Sequence, residues 1–106
     1  MKSKIIELAM RVLNAEDSTQ EAFDCAAFAA WHSLDGGQKE VLRQLLFNGP
    51  VWDGDICSKS ARDDLIDFTL AVRCCFKGEQ GHTAASYRAY TIWHAGNPKT
   101  TDSAHG

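Results

Sequence analysis

The chain lacks several features that would place it in a class at once. No apolar run approaches the roughly 20 residues that a membrane-crossing helix needs. The opening Met1-Lys2-Ser3-Lys4-Ile5-Ile6-Glu7 turns acidic too soon to read as a signal peptide, so a cytoplasmic protein with no membrane partner is expected. There is no basic excess either: 11 Lys and Arg stand against 14 Asp and Glu. Residues 1–37 carry 3 basic and 6 acidic side chains, and residues 38–95 carry 7 of each. DNA affinity comes largely from neutralising phosphates, so a neutral body behind an acidic N-terminal part starts at a disadvantage. With 2 prolines and 8 glycines in 106 residues, collagen-like and low-complexity architectures are excluded. A chain of this length can bury a core without a disulfide or a metal.

Metal and catalytic signatures are equally scarce. Cys25, Cys57, Cys74 and Cys75 form no Cys-x-x-Cys pair. Cys74 and Cys75 fall in a strand-like run where neighbours point to opposite faces, so they do not converge on one ion. His32, His82, His94 and His105 lack the i, i+4 spacing of a helical metal pair. Asp53-Gly54-Asp55 lacks the other ligands of a calcium loop and reads as a tight turn. No Gly-x-Ser-x-Gly, His-Glu-x-x-His or phosphate-binding glycine loop occurs. No cofactor, no metal and no catalytic residue are assigned; a Cys57 or Cys75 nucleophile with a distant histidine is the minor alternative.

What the chain does have is helical periodicity followed by a hairpin. Ile5, Leu8, Ala9, Val12 and Leu13 make one apolar face over Lys4 to Asn14. Ser18-Thr19-Gln20-Glu21 has the form of a capping box with Ser18 as N-cap. The helix behind it, to about Ser33, is small or aromatic around much of its circumference, which makes it central to the fold or part of a homodimer interface formed by the two N-terminal helices. Leu34-Asp35-Gly36-Gly37 breaks the chain, and Gln38 to Phe47 resumes helical spacing before Asn48-Gly49-Pro50 ends it. Val51 to Cys57 reads as a compact connection, and Ser58-Lys59-Ser60 offers N-caps for a helix from about Ser60 to Thr69. Leu70 to Lys77 and His82 to Arg88 read as a two-stranded hairpin around the turn Gly78-Glu79-Gln80-Gly81. Residues 89–95 fit either a longer strand or a terminal helix, and the small, polar stretch from Gly96 reads as a mobile tail behind a single domain of residues 1–95.

From Leu34 to about Ala95 this order resembles a winged-helix domain. Val41-Leu42-Arg43-Gln44-Leu45-Leu46-Phe47-Asn48-Gly49-Pro50-Val51 is similar to the first helix of such regulators, and Ser58 to Phe68 with Leu70-Ala71-Val72-Arg73 to their recognition helix and first wing strand. The expected fold class is α+β: a small winged-helix-like domain with a C-terminal two-stranded wing and two extra N-terminal helices. Only Val51 to Cys57 stands where the regulators usually have a full second helix, room for about one helical turn. The Gly-Pro-Val-Trp-Asp-Gly-Asp stretch also resembles small proteins carried by bacteriophages.

Two functions follow as expectations. One is a non-catalytic adaptor or inhibitor that docks on a protein through Trp52, Asp53, Asp55 and Tyr90; the phage resemblance implies a host defence or replication protein as partner. Trp and Tyr bury much area while losing little rotamer freedom, which suits them to interfaces. Among Trp31, Trp52, Tyr87, Tyr90 and Trp93, at least three are expected to pack in the core, with Trp52 and Tyr90 at the surface. The alternative is a DNA-binding transcriptional regulator using Lys59, Ser60 and Arg62 on the recognition helix and Lys77, Gln80, His82 and Arg88 on the wing. Against it, Asp63, Asp64 and Asp67 share that short helix and are placed to pair with Lys59 and Arg62 instead. Lys59, Arg62, Lys77 and Arg88 on one face would favour DNA.

Overall fold

The computed structural model describes residues 4–97. It is an α+β fold of five α-helices and a three-stranded antiparallel sheet. In chain order these are α1 (Lys4–Asn14), α2 (Gln20–Ser33), α3 (Gly36–Asn48), β1 (Val51–Trp52), a 3-10 turn (Asp53–Asp55), α4 (Lys59–Asp67), β2 (Ala71–Phe76), β3 (Glu79–Ala85) and α5 (Tyr87–Gly96). Sheet order is β1-β3-β2.

The helix starts are set by side chains that satisfy orphan amides. Thr19, not Ser18, caps α2: its Oγ1 accepts from Ala22 N at 3.1 Å. The Ser18 hydroxyl is already committed, donating to the carbonyl of Val12 in the last turn of α1, which also accepts from Ala15 N. Asp35 caps α3 in a full capping box with Gln38, so the glycines read as a chain break instead form the first turn of that helix. Gln38 Nε2 also donates to Asp64 Oδ2 at 3.0 Å, tying α3 to α4. Ser58 caps α4, which starts one residue before and ends two residues before the expected bounds.

The sheet has one strand more than expected, and the hairpin is not C-terminal. Val51 and Trp52, read as a connection, pair with Thr83 and His82 as a short edge strand. The β2–β3 turn is the two residues Lys77 and Gly78, both at positive φ, so Glu79 and Gln80 belong to β3 rather than to a four-residue turn. Residues 87–96 are helical, which settles the alternative for 89–95 and stops the second strand at Ala85. Gly96, expected to begin a tail, closes α5 because the Trp31 ring packs against it and leaves no room for a Cβ. The expected tail beyond Asn97 lies outside the described residues.

One core joins all the helices to the sheet. Ile6 and Leu13 of α1, Ala27, Ala30 and Trp31 of α2, Leu42 and Leu45 of α3, Leu65 of α4, and Ala89 and Ile92 of α5 are all buried in it. The alanine-rich α2 is central as expected, packed between α1 and α5, yet Ala22, Cys25 and Phe28 remain exposed. Of the five Trp and Tyr side chains only Trp31 is fully buried. Trp93 is half-buried with the Phe47 ring set edge-on at 5.3 Å, and Tyr87 is 74% exposed because it opens α5 and turns outward under the Arg88 guanidinium.

The exit from α4 carries a backbone conflict at a β-branched residue. Thr69 adopts φ +64° so that its amide reaches Ile66 O and the amide of Leu70 reaches Leu65 O, the double closure of a Schellman motif. A β-branched residue fits the left-handed region poorly, whereas glycine fits it without steric cost. Thr69→Gly is expected to raise stability by about 0.5–1 kcal/mol, measured by urea unfolding. A loss of stability would mean that the threonine side chain, or the extra freedom glycine gives the unfolded chain, matters more than the strain; the Ser86 hydroxyl bond to the backbone carbonyl of residue 69 is kept in either case.

Candidate functional site

The elements converge on the corner between β1 and the 3-10 turn. Asp53 is its hub. One carboxylate oxygen, Oδ1, lies 3.0 Å from Arg62 Nη1 of α4 and 3.4 Å from the Thr83 hydroxyl of β3. The other, Oδ2, accepts from Arg73 Nη2 of β2 at 2.8 Å. Arg62 completes its charge balance on Asp63, to which Nε and Nη2 donate at 3.0 and 2.9 Å. Burial acts to raise the Asp53 carboxyl, but the Arg73 and Arg62 guanidiniums, with the hydrogen bonds from Arg73 and Thr83, outweigh it and hold the group below its ordinary value of 3.8.

A second clamp fixes the far end of the turn. Gln44 of α3 donates from Nε2 to Asp55 O at 2.6 Å and accepts from Cys57 N at 3.1 Å. The turn is thus tied to α3, α4, β2 and β3 at once. On this held corner Trp52 is 53% exposed. Its ring lies flat across Gly54, where a Cβ would overlap the six-membered ring, and its Nε1 edge borders Gly81. Glycine at position 54 is what lets the indole sit there.

The expected docking residues therefore separate into three roles. Trp52 is exposed on the corner and Asp55 is exposed beside it. Asp53 is consumed by internal ion pairs. Tyr90 is exposed as well but stands on α5, a different element.

The expected DNA-contacting residues do not share a face. Arg62 is 8% exposed and bound to Asp53 and Asp63; the aspartates it pairs with are not the i, i+3 or i, i+4 neighbours expected from helical spacing. His82 is also buried, opposite Trp52 and Cys74 in the sheet, with the Phe76 ring 5.6 Å away. Arg88 turns to the N-terminal helices: its Nε donates to Asn14 Oδ1 at 3.1 Å and its guanidinium lies over the Phe23 ring. Lys59 and Ser60 in the first turn of α4, Lys77 in the hairpin turn and Gln80 on β3 are exposed.

Gln44, Arg73 and Thr83 build the corner around the expected Asp53-Gly54-Asp55 turn, and nothing in the sequence pattern marks those three for it. Asp53 meets Arg73 and Thr83 across 20 and 30 residues, a spacing with no local periodicity to read. The Asp-Gly-Asp turn was the available signal.

The four cysteines are free thiols, and no group of three or more His, Cys, Asp or Glu among the described residues is placed to hold a metal ion. No helix among them is long and apolar enough to cross a membrane. Two grooves lie elsewhere: one of about 540 Å³ between α1 and the end of α4, lined by Met10, Arg11 and Asp67 among others, and an apolar one of about 390 Å³ between α1 and α2. Comparison with protein-family models, with curated proteins and with solved structures finds no match to this chain.

Proposed function

We propose that this chain is a non-catalytic protein-docking module, an adaptor or inhibitor, built on a winged-helix-like arrangement and anchored by Trp52. The observation that carries the reading is an exposed indole seated on a turn that four separate elements hold in place. A large aromatic anchor that is already ordered loses little entropy on binding. The order α3, β1, short turn, α4, β2, β3 supports the winged-helix-like reading, with the 3-10 turn in place of the full second helix. The partner class implied by the phage resemblance, a host defence or replication protein, belongs to this reading.

The DNA-binding regulator is the second reading, supported by the exposure of Lys59, Ser60, Lys77 and Gln80. It loses weight because Arg62 and Arg88 are engaged within the fold and leave few cations for phosphate.

The two readings part in a paired experiment. Proteins captured on immobilised chain are expected to be retained by the wild type and weakened at least about tenfold by Trp52→Ala, the usual scale for an anchor. Gly54→Ala is expected to do the same with little change in melting temperature, because its Cβ displaces an exposed ring rather than a core one. Fluorescence anisotropy with random-sequence duplex DNA at low salt is expected to show no binding. Salt-sensitive DNA binding that Lys59→Ala and Lys77→Ala abolish would overturn the docking reading in favour of the regulator.

A further inference from the structure

The α1–α2 pair offers a face that the core does not use. At about 100° per residue, Ile5, Leu8 and Val12 fall within about 60° of one another on α1, turned away from the buried Ile6 and Leu13. On α2, Ala22, Cys25 and Ala29 occupy the same angular positions, turned away from Ala27 and Ala30. Together these residues line the apolar groove of about 390 Å³, with the buried alanines Ala9 and Ala26 at its floor. Ile5 is 54% and Leu8 48% exposed, which is a large apolar surface for a chain with a complete core.

The face is self-complementary in shape. Within the groove α1 supplies the large side chains and its antiparallel neighbour the small ones, with Phe28 outside the lining. Because Asn14 and Gln20 sit at the same end of the pair, Ile5 lies level with Ala29, Leu8 with Cys25 and Ala26, and Val12 with Ala22. A second copy related by a two-fold axis parallel to the helices lays α1 of one chain antiparallel on α2 of the other at these same levels. Each large side chain then enters the shallow channel of small residues opposite.

Charge selects the same arrangement. By helical position Lys4 and Arg11 lie beyond Leu8 on the outer edge of α1, where Arg11 also lines the α1–α4 groove, and Glu21 lies beyond Cys25 on the outer edge of α2 beside the exposed Phe28, with Asp24 further round. Laying α1 on α2 of the second copy brings Arg11 to the level of Glu21 and Asp24. The other two-fold, perpendicular to the helices, lays α1 on α1 and sets Leu8 against Leu8 with Arg11 beside Lys4, large on large and like charge on like charge. We propose that the chain forms a homodimer in which α1 and α2 of two copies make a four-helix bundle, large residues of α1 in the small-residue channel of α2 and Arg11 paired with Glu21 across the interface. It involves helices other than those of the Trp52 corner, and it stands whether or not that corner docks a partner.

Sedimentation equilibrium on the full chain over a wide concentration range tests it. A reversible dimer is expected. Leu8→Glu, a change at an exposed position of the single chain, weakens it at least about a hundredfold because each dimer carries the substitution twice, while the helical circular-dichroism spectrum is retained. Arg11→Glu weakens association about tenfold, and Arg11→Glu with Glu21→Arg restores it, as expected for opposed charges at an interface rim. A chain that stays monomeric at millimolar concentration overturns the proposal. So does a dimer indifferent to Leu8→Glu, or a double charge reversal that recovers nothing.

Discussion

Trp31→Ala is expected to destabilise the fold by about 3–5 kcal/mol, the range for removing a buried aromatic. Trp31 is 2% exposed and sits where three helices meet. It belongs to α2, its ring lies against Gly96 at the end of α5, and the Lys39 and Arg43 side chains of α3 reach over it at 5.5 Å. Folded domains of this size have only about 5–15 kcal/mol of stability in total, so the variant should show a large fall in urea midpoint. The converse change follows from the same contact. A Cβ at position 96 overlaps the indole, and a core ring cannot swing into solvent as Trp52 can, so Gly96→Ala should cost about 1–3 kcal/mol. The pair forms a double-mutant cycle: in the Trp31→Ala background, Gly96→Ala has little left to clash with and its cost should largely vanish. Additive costs would show that Gly96 matters for its backbone and not for its contact with Trp31.

That contact also lies beyond what local sequence pattern can specify. Periodicity located α1 to its observed ends, because its apolar residues recur at three and four and nothing competes. It placed α3 and α4 within a few residues, and missed the start of α3 because two glycines after Asp35 look like a break when the local hydrogen bonds of the capping box are not visible. Gly96 looked like the start of a tail for a related reason. A small residue near a chain end signals a loop, unless a ring from 65 residues away needs the space.

The sheet shows the limit more plainly. Two residues, Val51 and Trp52, are too few for alternation to register, and they become a strand only because Thr83 and His82 lie beside them. The candidate site depends on the same non-local pairing. Trp52 was legible as a surface aromatic in a turn, and Asp53 as a turn residue. Asp53 as the meeting point of two arginines was not, since Arg62 and Arg73 come from elements whose relative placement is set by the core. Arg62 accordingly read as a solvated helix residue, although its guanidinium is turned inward.

The ion-pair hub gives the corner a pH dependence whose sign is fixed. In the unfolded chain Asp53 titrates near its ordinary value of 3.8. In the folded chain its pKa is lower, so the native state keeps the carboxylate ionised where the unfolded state has begun to bind a proton. The stabilisation from this group is therefore fully present above about pH 4 and is lost as pH falls through the folded pKa. Asp53→Asn removes the titration and leaves the Arg62 guanidinium, only 9% exposed, with Asp63 alone. Separating a buried charge from its partner typically costs about 3–5 kcal/mol; Arg62 keeps one partner and Asp53 is partly exposed, so about 2–3 kcal/mol is expected at pH 7. Arg62→Met should cost less than Asp53→Asn, because it removes the buried charge itself and Arg73 still neutralises Asp53. Urea unfolding of the three proteins at pH 7 and again below pH 4 tests both statements. The wild type should lose its advantage over Asp53→Asn on acidification, and an unchanged gap would show that the carboxylate's charge does not hold the corner. The same substitution bears on docking, since the turn that seats Trp52 is held by Gln44 alone on one side once the arginines let go. Loss of partner capture in Asp53→Asn at neutral pH, with Trp52 itself intact, is the expected sign that the anchor works because it is held.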